Sequence, residues 1–107
     1  MRFLMMVGVE PGAEAEGESG LTIEQWLAET ERRGVRVEGD ILARPSDATT
    51  IRDYGRMITD GPFADTKEWI AGYDVLDCRD LDEAIEIAAL HPMARAGLIE
   101  VRPFWEE

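Results

Sequence analysis

The chain has 107 residues, enough for one modest hydrophobic core but not two, so it reads as a single domain over residues 1–107. Eleven Lys and Arg stand against 23 Asp and Glu, a net charge of −12 that repels phosphate backbones and excludes direct nucleic-acid binding from the expected functions. No apolar run approaches the roughly 20 residues of a membrane helix, and the lone Cys78 rules out an internal disulfide and suits a reducing compartment, so the expected location is the cytoplasm, away from any membrane.

Residues 2–9 are a run of Phe, Leu, Met and Val broken only by Gly8, the pattern of a strand buried on both faces and central in its sheet. The opening Met1-Arg2-Phe3-Leu4-Met5-Met6-Val7 is too short and poorly flanked for a signal peptide. Glu10-Pro11-Gly12 ends this strand, and a Gly, Glu and Ala-rich segment runs on to Gly20. A loop that long is a functional lid or disordered, and with no aromatic or basic residue to close over a ligand, partial disorder is the expectation. Thr22-Ile23-Glu24-Gln25 fits a capping box that opens a helix, with Ile23, Trp26, Leu27 and Thr30 on one face, Trp26 in the core and Gly34 placed to end it.

Residues 35–42 read as a second strand, stopped by Arg44-Pro45-Ser46. Residues 48–52 and 56–59 flank Asp53-Tyr54-Gly55 as a hairpin whose Gly55 takes the left-handed conformation. In the turn Asp60-Gly61-Pro62, Gly61 is expected to be extended ahead of the proline. Residues 69–78 form a further strand, apolar except for Asp74. Asp80-Leu81-Asp82-Glu83 is a second capping box, and Leu81, Ala84, Ile85 and Ala88 stripe a helix that ends near His91-Pro92. Residues 98–104 are the last strand. The order is a ferredoxin-like βαββαβ pattern with an extra hairpin: an α+β fold with an antiparallel sheet and two helices on one face.

The run Asp60-Gly61-Pro62-Phe63, followed by Lys67-Glu68 and Gly72-Tyr73, resembles the signature of DGPF-domain proteins, a branch of the YCII-related family. Asp80-Leu81-Asp82-Glu83-Ala84, His91-Pro92 and Glu100-Val101-Arg102-Pro103 extend that resemblance over essentially the whole chain. It implies a dimeric α+β barrel, in which two copies close face to face through their sheets. It also implies a His–Asp pair in a cleft at the dimer interface, the histidine lying near the first helix. This chain has no histidine before His91, so that pair does not carry over.

The residues themselves nominate several groups for chemistry. His91 is the only side chain whose ordinary pKa suits proton transfer near neutrality, although an imidazole at a helix end also caps free carbonyls. Asp60 is a second catalytic candidate, or simply an Asx-type turn residue. Asp74, Glu100 and Arg102 are charges within apolar strands, which either line a wet cavity or form a structural ion pair, and Phe63 is an apolar anchor beside the signature turn. Cys78 reads as a small core hydrophobe. There is no nucleophile elbow, no Cys/His metal spacing and no Gly-rich phosphate loop, so neither metal nor nucleotide cofactor is expected.

Two functions follow. The first is a homodimer binding a small organic molecule in an interface cleft, with cofactor-free acid–base chemistry as in muconolactone isomerases. Here His91 or Asp60 moves the proton and Arg102 holds an anionic group. The second is a non-enzymatic regulatory module, since the resemblance implies association with an extracytoplasmic-function sigma factor, for which an acidic surface would serve as a docking face. The homodimer has its own support in the sequence: two helices cover one sheet face, yet Leu4 and Met6, with Leu98 and Phe104, leave the other apolar.

Overall fold

A strand apolar on both faces belongs inside a sheet, and β1 (Arg2–Val9) is there. In the computed structural model, which describes residues 1–9, 21–63 and 69–106, β1 is flanked by β5 (Trp69–Asp77) and β6 (Leu98–Pro103), with β2 (Arg36–Ile41) outside β5. All three pairings are antiparallel, and the strand order β2-β5-β1-β6 is compatible with a ferredoxin-like domain. The hairpin of β3 (Thr49–Arg52) and β4 (Met57–Asp60) forms a separate two-stranded sheet. Among the described residues three α-helices accompany the strands: α1 (Ile23–Arg33), α2 (Leu81–Ala89) and the short α3 (Met93–Ala96).

The core lies between the helices and one face of the sheet. Phe3, Met5 and Val7 alternate onto that face and pack with Trp26, Val35, Leu76 and Ile87. Trp26 is the largest buried side chain, and its Nε1–H donates to the Ile87 carbonyl at 2.9 Å, tying α1 to α2. Register assigns the other strands to faces. Asp74 stands opposite Met5, and Val101 and Ile99 stand opposite Met5 and Val7, so all three point to the helices. Val75 opposite Leu4, and Glu100 opposite Met6, belong to the other face. Cys78 is buried, and that burial is the main cause holding its thiol above the usual range, so it stays protonated and unreactive.

The helix starts follow the local chemistry. Both halves of the Thr22–Gln25 capping box form, and Gly34 ends α1 with its N–H on the Thr30 and Glu31 carbonyls. Asp80 accepts from the Glu83 amide at 2.9 Å, but Glu83 turns to the amide and guanidinium of Arg79 instead of closing its half of the box.

Three turns differ from expectation. Pro92 does not only end α2; with φ −57° and ψ −31° it opens α3, because a proline suits a first helical turn that needs no N–H from it. Gly61 is not extended: its φ is +94°, and its N–H and carbonyl are held by Ala48 and Thr50 at 2.7 and 2.8 Å, which closes the base of the hairpin. At the hairpin's tip Asp53, Tyr54 and Gly55 all have positive φ, at 49°, 56° and 91°, so the left-handed turn is not confined to the glycine. The loop of residues 10–20 and the Thr66-Lys67-Glu68 cluster lie outside the described residues. Among the described residues no helix is long and apolar enough to cross a membrane.

Candidate functional site

A carboxylate on the core-facing side of a central strand has to be paired, and the partner of Asp74 is Arg36, whose Nε donates to Asp74 Oδ1 at 2.7 Å. Gly39, opposite Asp74 in the β2–β5 ladder, makes room for the pair. A Cβ there would overlap Asp74 Oδ1 and stand 2.7 Å from Arg36 Nη2. Burial pushes the Asp74 carboxyl above its usual range, and the Arg36 guanidinium only partly offsets that.

His91 approaches the same region from the α2–α3 corner. It is buried, its ring lies edge-on to Trp26 with centroids 4.7 Å apart, and its Nδ1 accepts from the Met93 amide at 3.0 Å. A neutral imidazole that accepts at Nδ1 carries its proton on Nε2, so Nε2 is a donor. Burial lowers its pKa from 6.5 to about 4. The unfolded chain therefore takes up this proton first as pH falls. His91 gives no pH dependence above its ordinary pKa, and below it stability drops by about 1.4 kcal/mol per unit until the folded pKa is reached. Asp74, shifted upward, acts in the opposite sense at the acid end. Urea unfolding between about pH 6.5 and 5.5 should thus show a loss of stability that His91→Phe removes; a slope unchanged in that variant would assign it to other groups.

His91 and Asp74 both line a cavity of about 490 Å³ between α1, the β2 and β5 strands and the His91–Pro92–Met93 corner. Its walls are mainly apolar, from Val7, Ile23, Trp26, Leu27, Ile41 and Met93, with Arg36, Asp74 and His91 as its polar side chains; Asp40 and Tyr73 also border it, but their register, opposite each other and level with Met6, turns their side chains to the far sheet face. That size and composition match a small-molecule site. A second hollow of about 410 Å³ over α2 and β6 is lined only by Leu, Ile, Ala and Val and holds no group able to move a proton.

The sequence-derived candidates separate into three places. His91 and Asp74 share the cavity. Asp60 ends β4 and Phe63 follows it, both exposed and neither lining the cavity. Glu100 and Arg102 pair with each other at 2.7 Å on the sheet face away from the helices, so they neither join Asp74 nor line its cavity. The sequence reading missed Arg36 and Gly39. Only an argument about β2 opposite β5 finds them, because nothing in the local pattern of residues 35–42 marks Arg36 as facing inward.

An antiparallel sheet with helices on one face and a ligand-sized cavity at the helix side of β2 and β5 make this an α+β domain, compatible with a ferredoxin-like fold, that carries a candidate binding site. The chain belongs to the YCII-related family, whose domain matches residues 1–107. It is also 45% identical over 49 residues to an uncharacterised protein of Rhizobium meliloti (strain 1021), a match covering 44% of this chain and 40% of that protein. The matched stretch thus spans less than half of the relative's length.

Proposed function

We propose that this protein binds a small, largely apolar organic molecule in the cavity beside Trp26 and catalyses cofactor-free proton transfer on it. The observation that carries this reading is that two buried ionisable side chains, His91 and Asp74, line one apolar-walled space. Their roles follow from their hydrogen bonds. Asp74, raised by burial, is the proton acceptor; His91, donating through Nε2, holds the oxygen on which negative charge develops. Asp74 takes a proton from carbon next to a carbonyl, the C–H electron pair moves onto the carbonyl oxygen, and return of the proton at another atom completes an isomerisation.

Thermal-shift screening against lactones, hydroxyketones and small organic acids tests the binding. A stabilising compound should lose its effect in His91→Ala and keep it in Arg102→Ala, because Arg102 is on the other sheet face. For the chemistry, the bound compound should exchange a carbon-bound proton with deuterated solvent. Asp74→Asn should slow that exchange by about a hundredfold, more than the roughly tenfold loss of binding expected from the altered hydrogen bond. No hit across a broad set, with a sigma factor co-purifying, would favour the regulatory module and overturn this reading.

The assembly we favour is a homodimer closed through the sheet face opposite the helices, the arrangement of a dimeric α+β barrel. In support, Leu4, Met6, Val75 and Leu98 share that face, and the helices of the protomer pack on the other. Sedimentation equilibrium at low micromolar concentration should give twice the chain mass, and Leu98→Arg should give monomer or aggregate. A monomer for the unmodified chain would remove the dimer but not the cavity, which is formed within one protomer.

A further inference from the structure

The polar end of the cavity is specific about charge. Arg36 is committed to Asp74, so the carboxylate and the guanidinium turned to the cavity already neutralise each other. An anionic ligand would meet the Asp74 carboxylate and a guanidinium already paired, between apolar walls that strengthen every uncompensated charge. A cationic ligand would set a second positive charge beside Arg36 and face the N–H of His91, a donor that needs an acceptor. Among the described residues neither Asp74 Oδ2 nor His91 Nε2 has a hydrogen-bond partner, and no buried side-chain nitrogen or oxygen is left unpartnered, so both atoms reach open space. One is an acceptor and the other a donor.

We infer that the cavity selects uncharged molecules that carry a carbonyl oxygen together with a hydroxyl or N–H, the oxygen received by His91 Nε2–H and the hydrogen given to Asp74 Oδ2. This rests on the binding reading above and narrows it to a ligand class. It also reverses the expectation of an anionic group held by Arg102, since that guanidinium pairs with Glu100 on the far face. Rejection of charged analogues comes from the committed state of Arg36, and rejection of plain hydrocarbons from leaving the two polar atoms unpaired.

The test is a set of small ring scaffolds, each prepared as carboxamide, carboxylate and aminomethyl forms with an adjacent hydroxyl; salicylamide, salicylate and 2-hydroxybenzylamine are one such triplet. Binding to the full chain is measured by calorimetry near neutral pH, with the ¹⁵N shift of His91 Nε2 as reporter of the site. Carboxamides should bind about tenfold or more tighter than their charged counterparts, move the His91 signal, and lose about tenfold in Asp74→Leu, with Asp74→Asn as a second, near-isosteric variant should that one not fold. If carboxylates or amines of the same scaffolds bind as tightly or more so, the ligand class is wrong while the binding site stands. If no form of any scaffold binds, the site reading fails and this inference with it.

Discussion

Arg36→Met lowers the unfolding free energy by about 3 kcal/mol at neutral pH, one of the two largest effects expected of a single substitution in this chain. The methionine preserves much of the apolar stem, so the loss isolates the guanidinium. What remains is the Asp74 carboxylate, 7% exposed on the core side of β5 with its charge uncompensated. Without Arg36 its folded pKa rises further above the unfolded value. The deficit is therefore greatest where both states are ionised, and shrinks as pH falls through the raised folded pKa and the folded chain takes up the proton first. Urea unfolding at neutral pH and at about pH 5 should show the variant recovering part of its loss on acidification, and adding Asp74→Asn should restore part of it at neutral pH. A loss under about 1 kcal/mol, with no such recovery, would mean that the pair behaves as a solvent-screened surface contact.

Trp26→Ala is expected to cost about 4 kcal/mol, since it removes the largest buried side chain of the core. The damage is distributed over three contacts. The α1–α2 contact loses its packing, the Ile87 carbonyl loses its indole donor, and the His91 ring loses the aromatic edge it rests on. Against a typical domain stability of about 5–15 kcal/mol, such a loss leaves the chain near its unfolding transition at modest temperature. Trp26→Phe keeps most of the volume and removes the N–H, so it should cost about 1–2 kcal/mol. Urea midpoints rank the two variants, and the His91 ring-proton shifts, which the indole currently moves, should relax toward free-histidine values in Trp26→Ala. An alanine variant unfolding at the wild-type midpoint would contradict the central place given to Trp26 in both core and cavity.

Local chemistry determined most of the architecture. The apolar run from Arg2 to Val9, the Thr22 and Asp80 helix caps and the Gly34 stop each act within a few residues, so the order of elements and the core position of Trp26 were legible in the chain. His91 and Asp74 were legible as candidates for a related reason, being a lone histidine and a charge within an apolar strand. Their company was decided only by tertiary structure. The register of β2 on β5 shifts between Arg36 and Glu38, and that bulge brings Arg36 and Gly39 onto one face, although residues at i and i+3 of a regular strand point to opposite faces. Strict alternation therefore hides the ion pair, and Asp74 was grouped with Glu100 and Arg102 only because all three are charges within apolar strands. Those two stand one register position away on β6, and in a strand one position is the whole difference between the helix side and the open side of the sheet. The tautomer of His91 likewise depends on Pro92 opening a new turn, which brings the Met93 amide to Nδ1 and leaves Nε2 as the donor.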